Sequence, residues 1–226
     1  MPRFQASLAF PGRAHDLLSY VGALVAYLSV AHFESHQCLP VVSWASVGTL
    51  GCLLWCSHFF KRIFECSWVH RYAGRRVPLA DALYEYVYYW GFGIWNAMAL
   101  SSKATTPIDG VGIAAIVVFL VAESGNGWAH LKLRALRRPN TNERNIPRGG
   151  LFNWVSSANY SFELLAWAGF CLLARTLASV VYLLAIALVL GSWAKKRHQR
   201  YLELFDGKDG RPLYPAGRRA LIPGLF

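Results

Sequence analysis

Charge is what this sequence has least of. Asp, Glu, Lys and Arg make up 15% of the chain, against roughly 25% in soluble domains, while 55% of its residues are hydrophobic. That shortage argues against an ordinary water-soluble domain. Acidic residues are the scarcer sign, 12 against 23 Lys and Arg, which leaves a formal charge of +11. Such an excess often marks nucleic-acid binding. Here the cations stand between and after apolar blocks, so a juxtamembrane or anionic-ligand role fits better and no nucleic-acid partner is expected. The five cysteines (Cys38, Cys52, Cys56, Cys66, Cys171) contain no C-x-x-C pair. They read as reduced packing residues, with no metal expected. No G-x-G-x-x-G occurs, since Gly91-Phe-Gly93 lies in an aromatic block without a third glycine. A Rossmann domain is therefore excluded, and any nucleotide must bind within the helical bundle. A catalytic serine lacks its G-x-S-x-G. A di-iron hydroxylase lacks its histidine clusters, having only His32-x-x-x-His36 on the predicted lumenal side. There is no internal repeat. Residues 1–12 hold no sustained apolar stretch, so no cleavable signal peptide is expected and the first span serves as the insertion signal.

What is present comes in blocks about 20 residues long, the length that crosses a bilayer core. Apolar blocks cover residues 17–32, 41–60, 83–100, 111–128, 151–174 and 177–194. They predict an all-α, polytopic integral membrane bundle of about six transmembrane helices, forming one membrane domain over residues 1–226. Basic residues alternate between loops. Residues 1–16 carry two, 33–40 none, 61–80 five, 101–110 one, 133–150 five, the turn at Arg175 one and the tail from Lys195 eight. The positive-inside rule then places both termini in the cytosol, with the first block alone short enough to lie in the interface instead.

Three constellations carry chemistry. Residues 145–167 read N-I-P-R-G-G-L-F-N-W-V-S-S-A-N-Y-S-F-E-L-L-A-W, a basic Gly/Pro loop running into an apolar helix. Asn159 and Glu163 share one face of that helix, and Tyr160 points about 100° away. Polar groups so placed are costly and usually face a bundle interior or a wet cavity. Asn126, His130, Arg134 and Arg137 follow i, i+4, i+8, i+11 spacing and form a polar stripe toward the cytosolic boundary. Its arginines fit bidentate phosphate binding, or a snorkelling basic edge that would leave Asn126 and His130 unexplained. Lys61 and Glu65, four apart, can pair along a helix face.

These motifs resemble the steroid 5α-reductase family. The likeness runs through the I-P-x-G-G-x-F segment before Asn-x-x-x-Glu, the Asn and the Arg-x-Pro of the fourth block, the terminal His198-x-x-Tyr201-Leu202 and the closing L-I-P-G-L-F. It covers residues 20–226, with the catalytic and cofactor-binding part at about 111–226. The string H-x-x-K-R-x-x-E-x-x-x-V-H-R from His58, the Tyr88-Tyr-Trp-Gly-Phe92 run and the Asn126-x-x-x-His130 form are closer to the enoyl-CoA reductases of very-long-chain fatty acid elongation. The R-G-G-L-F loop is closer to the steroid branch, and the ubiquitin-like N-terminal domain common in eukaryotic enoyl-CoA reductases is not found. The resemblance implies NADPH as cofactor, held by Asn126, His130, Arg134, Arg137, Asn159, Glu163, His198 and Tyr201. Asn126 and Arg137 would hold its nicotinamide and phosphate parts. Tyr160 is implied as proton donor, with Lys61 stabilising the enolate or easing loss of the tyrosine proton. Long-chain trans-2-enoyl-CoA is the implied substrate, membrane lipid and other fatty acid elongation enzymes the implied neighbours, and the endoplasmic-reticulum membrane the implied location. A steroid 5α-reductase acting on 4-ene-3-ketosteroids is the alternative within the family. A non-enzymatic membrane scaffold is the alternative outside it.

Overall fold

A backbone crossing lipid must satisfy its own N–H and C=O groups, so apolar blocks of this length are expected as helices. The computed structural model describes residues 9–37, 45–137 and 145–226, without the side chains of residues 36 and 37. Arg3, Cys38, Arg138 and Arg144 lie outside the described residues, as does the His36 side chain. The long elements are six α-helices: α1 (Gly12–Gln37), α2 (Val47–Phe64), α3 (Leu79–Ser101), α4 (Gly110–Ala135), α5 (Ala158–Ala174) and α6 (Leu177–Leu204). Two three-residue strands, β1 (Ala9–Pro11) and β2 (Arg76–Pro78), pair antiparallel with Phe10 opposite Val77.

Two compact units result, Met1–Asp109 with Thr176–Ala178, and Gly110–Arg175 with Ser179–Phe226. In the first, α1 packs on α3 and α2. Ser46 caps α2 by accepting the Thr49 N–H at 3.2 Å. The core there is aromatic. Tyr27 stacks on Trp55 at 5.2 Å, Trp55 meets Phe59 at 5.0 Å, and Tyr20 lies edge-on to Tyr89 at 5.5 Å. Helix α2 ends in a π-helical turn, Glu65–Val69, after which His70 is extended.

In the second unit α4 and α5 lie backbone to backbone. A Cβ at Gly169 would stand 2.8 Å from the Ala115 carbonyl oxygen and 3.0 Å from the Phe119 nitrogen. Small residues permit such close approach where lipid removes the hydrophobic drive between helices. The fifth apolar block is not helical from its start. Gly149 and Gly150 take positive φ (94° and 50°), a 3-10 turn covers Gly150–Asn153, and α5 begins only at Ala158. Phe152 and Val155 account for the apolar reading of that entry, since both are buried against Ala129 and Ala158. Helix α6 instead outruns its block by ten residues, from 194 to Leu204, because the basic run after Ala194 keeps helical geometry.

The molecule is an all-α membrane protein. Among the described residues, three helical segments suffice by length and composition to cross a bilayer, Gly12–Ser35, Gly110–Ala135 and Leu177–Leu204. Helix α2 carries Lys61 and Arg62 in its last turn, α3 holds Asp81 and Glu85 near its start, and α5 has only 17 residues. The expected count of about six spans is thus not supported by length and composition. Large apolar side chains lie outward on the long helices, including Val117, Leu120 and Val121 of α4 and Leu184 and Leu188 of α6. Apolar surface on this scale needs a cover, and lipid provides it.

The α4–α5 contact gives a direct stability test. Gly169→Ala gains about 1 kcal/mol of helix propensity but forces a methyl onto backbone, at a cost of about 1–3 kcal/mol. Thermal unfolding in detergent should show a net loss. Gly91→Ala in α3, where a Cβ meets nothing within 4 Å, should hold or gain stability.

Candidate active site

The second unit gathers its polar groups where the chain enters α5. The entry is pinned from the far end of the sequence. Ser156 N–H donates to the Arg219 carbonyl at 2.8 Å, and Arg219 N–H donates to the Trp154 carbonyl at 2.9 Å. Ser157 precedes α5 without capping it, and its buried hydroxyl has no partner. One residue into the helix, Asn159 becomes the hub. Its carbonyl accepts from Asn126 Nδ2 at 2.8 Å, its Nδ2 lies 3.4 Å from His130 Nε2, and its Oδ1 accepts from Arg197 Nη1 at 2.8 Å. Asn126, His130 and Asn159 are all buried. Of the predicted stripe, Asn126 and His130 thus face α5, whereas Arg137 lies past the last turn of α4 and so does not continue the helical spacing. Arg197 also donates from Nη2 to Tyr160 Oη at 2.6 Å, with its guanidinium 4.2 Å from the ring centre. The Tyr160 ring packs against Ala194, Ala220 and Leu221.

Arg137, just beyond the end of α4, stands near enough to Arg197, Tyr160 and Tyr201 for their charges to act on it. Burial, then the like charge of Arg197, lowers its pKa. His198 Nδ1 lies 2.6 Å from Ser156 Oγ, which in turn lies 2.8 Å from Tyr214 Oη. Tyr201 is buried, stacked on Tyr214 at 5.4 Å in a cluster with Ile146 and Phe205. Arg134 is half-buried on the last turn of α4. Glu163 is buried one turn after Asn159. A hydroxyl such as that of Ser157, buried without a partner among the described residues, is costly unless a ligand satisfies it, and a buried carboxylate likewise favours a ligand that donates to it. An amide N–H₂ would serve Glu163, and phosphates would serve Arg137 and Arg197. The donor set therefore fits a phosphorylated dinucleotide bearing a carboxamide.

Lys61 belongs to the first unit. Its Nζ lies 3.3 Å from Glu65 Oε1, as the spacing predicts, while Arg62 Nη1 holds Oε2 at 2.7 Å. Arg62 Nη2 donates to Tyr20 Oη at 2.9 Å. Glu65 is 3% exposed, so the two cations offset its desolvation.

The 3-oxo-5-alpha-steroid 4-dehydrogenase family matches residues 77–226, two thirds of the chain. Across its whole length the chain is 33% identical to a very-long-chain enoyl-CoA reductase of Dictyostelium discoideum, of which it covers 72%. The chain belongs to the steroid 5α-reductase family. It is also similar to a trans-2,3-enoyl-CoA reductase-like protein of Bos taurus, at 28% identity over 93% of this chain and 60% of that one. The human 3-oxo-5-alpha-steroid 4-dehydrogenase 2 is 30% identical over 83% of this chain and 72% of its own. The chain therefore spans between 60% and 72% of the length of these relatives.

Four contributors escape a reading of the sequence. Arg197 is masked by its neighbours, because Lys195-Lys196-Arg197 after an apolar block already has an explanation as a membrane flank. Its one available signal is position, four residues before Tyr201 on a helix that does not stop at Ala194. Ser156, Tyr214 and Arg218 carry none. Arg218 is buried, donating to the Pro147 carbonyl at 2.8 Å with its guanidinium 5.3 Å from the Tyr214 ring centre.

In the first unit Asp16, Cys66 and His70 bring three metal-ligand atoms within 4.8 Å of one another. Their present partners argue for a hydrogen-bonded buttress. Arg75 holds both Asp16 oxygens at 3.1–3.2 Å, Cys66 Sγ lies 3.7 Å from His70 Nδ1, and burial pushes the Cys66 thiol up to about 11. Only the thiolate alkylates, so Cys66 should react at pH 8 roughly 100-fold more slowly than an ordinary thiol, gaining speed as pH rises toward 11. Mass spectrometry after timed alkylation reads this, and fast labelling at pH 8 would contradict the buried thiol.

Proposed function

We propose that this chain uses NADPH to saturate the 2,3 double bond of long-chain trans-2-enoyl-CoA in very-long-chain fatty acid elongation. It would do so in the endoplasmic-reticulum membrane, with about six spans and both termini cytosolic. That the chain is an oxidoreductase acting on CH–CH bonds follows from the family itself and sets the scaffold reading aside. The enoyl-CoA substrate draws on the relatives named for that reaction. The observation that carries the mechanism is the Arg197 clamp on Asn159 and Tyr160.

Bound in the second unit, the dinucleotide would supply the hydride for the β-carbon. Asn126, His130 and Asn159 orient it, Glu163 takes its amide, and Arg134, Arg137 and Arg197 take its phosphates. His198 and Tyr201 complete that set. The Tyr160 oxygen accepts from Arg197, which leaves its own proton free to be donated. Tyr160 then serves as general acid toward the α-carbon, and the guanidinium stays beside the oxygen left behind. Lys61 supplies positive charge for the thioester enolate. A steroid reading is second. It rests on the R-G-G-L-F loop and the similarity to the human steroid enzyme, and it uses the same proton donor on a 4-ene-3-ketone.

Purified chain should oxidise NADPH with a long trans-2-enoyl-CoA and leave a 4-ene-3-ketosteroid unchanged. Turnover of the steroid alone would move the substrate to the second reading, and turnover of neither would sink both. Tyr160→Phe keeps the ring and removes the acid. It should slow reduction by roughly 10²–10⁴-fold with NADPH binding and thermal stability little altered. Near-normal turnover would take Tyr160 out of the mechanism. Arg137→Ala should raise the KM for NADPH, and an unchanged KM would return that arginine to the membrane edge.

A further inference from the structure

We propose that Tyr214 and Ser156 are positioning residues that fix His198 as its neutral Nε2–H tautomer, making it a one-way donor to an oxygen of the bound dinucleotide. This rests on reading the second unit as the NADPH site. The three side chains form one hydrogen-bonded line, Tyr214 Oη to Ser156 Oγ at 2.8 Å and Ser156 Oγ to His198 Nδ1 at 2.6 Å. They come from three places in the chain, the tail, the entry to α5, and α6.

The direction of the line follows from counting protons. Tyr214 and Ser156 are buried, at 3% and 0% exposed, and Ser156 Oγ is the sole hydrogen-bond partner of the Tyr214 hydroxyl among the described residues. If His198 donated from Nδ1 to Ser156, the serine would either donate to Tyr214 or accept from it as well. The phenolic proton in the first case, or the serine proton in the second, would then be buried with no acceptor among the described residues. Reversed, Tyr214 donates to Ser156, Ser156 donates to Nδ1, and every group in the line is satisfied. An imidazolium, which must donate at Nδ1, strands one of the same two protons. The line therefore selects a neutral ring with its proton on Nε2, an atom that has no partner among the described residues. A hydrogen bond at one ring nitrogen sets what the other can do.

The line is held against drift at its middle and at its tyrosine end. Ser156 is fixed through its own backbone, donating to the Arg219 carbonyl at 2.8 Å. The Tyr214 ring is stacked on Tyr201 at 5.4 Å and on Phe205 at 6.4 Å, with the Arg218 guanidinium 5.3 Å from its centre. Its hydroxyl is thus the part free to be removed without disturbing the ring. A donor at Nε2 suits phosphate or carboxamide oxygen and rejects a ligand that presents a donor there.

The test is ¹⁵N spectroscopy of the full chain in detergent, labelled at its seven histidines, with the His198 signals assigned by their loss in His198→Gln. The wild type at neutral pH should show a pyridine-like Nδ1 and a pyrrole-like Nε2. Tyr214→Phe should draw the two shifts together as the tautomers mix. It should also raise the KM for NADPH about 2- to 10-fold, one hydrogen bond's worth, with kcat little changed. A wild-type His198 protonated on Nδ1 would overturn the proposal, and so would a Tyr214→Phe variant with unaltered shifts and KM. If Tyr214→Phe fails to fold, the wild-type spectrum decides alone. Failure of NADPH to bind a chain that shows the Nε2–H tautomer would count against the cofactor reading and leave the relay standing.

Discussion

A single guanidinium organises the second unit. Arg197 spends two of its donors on adjacent residues of α5, Asn159 Oδ1 and Tyr160 Oη. Because the asparagine amide is planar, fixing Oδ1 also fixes Nδ2, which faces His130, while Asn126 takes the Asn159 carbonyl. One cation thus orients two polar residues on α5 and, through the Asn159 amide, reaches His130 on α4, while Asn126 is held by the backbone of the same residue. Lysine could not do this from the same position, since its point charge lacks the planar fork that holds two acceptors at once.

The same arrangement concentrates positive charge. Arg137 is half-buried near Arg197, so that burial and then this like charge lower its pKa, and the first turn of α5 adds the positive end of a helix dipole. Like charges held together in a low dielectric weaken a fold, and a polyphosphate brought among them relieves the strain. Glu163, a buried acid in the same helix, has the opposite requirement. A ligand with phosphates at one end and an amide at the other meets both requirements, which is a stronger argument for a dinucleotide than either feature alone.

Sequence made much of this legible, and its limits are physical. Apolar runs located every long helix, because length and hydrophobicity are local properties. Whether a helix crosses the bilayer depends also on where its charges go, so α2, with Lys61 and Arg62 folded back on Glu65, falls short of a span by composition. Asn126, His130 and Asn159 could be found because a polar residue at helical spacing inside an apolar block is an anomaly. Arg197 stands where cations are ordinary. Ser156 and Tyr214 are 58 residues apart, and nothing local ties a serine before a helix to a tyrosine in a tail.

The first unit handles its buried charge differently, and that bears on Lys61. There two cations share one carboxylate, Arg62 on Oε2 and Lys61 on Oε1 of Glu65. Two positive charges and one negative leave the trio with a net charge of one. That surplus is not evenly available. Arg62 is also committed to Tyr20, by a hydrogen bond at 2.9 Å and by lying 5.0 Å from the ring centre, and its side chain is 10% exposed. Lys61 is 23% exposed at its side chain and sits at the longer, weaker contact. Glu65 thus fixes the place of the ammonium, the more exposed of the two cations.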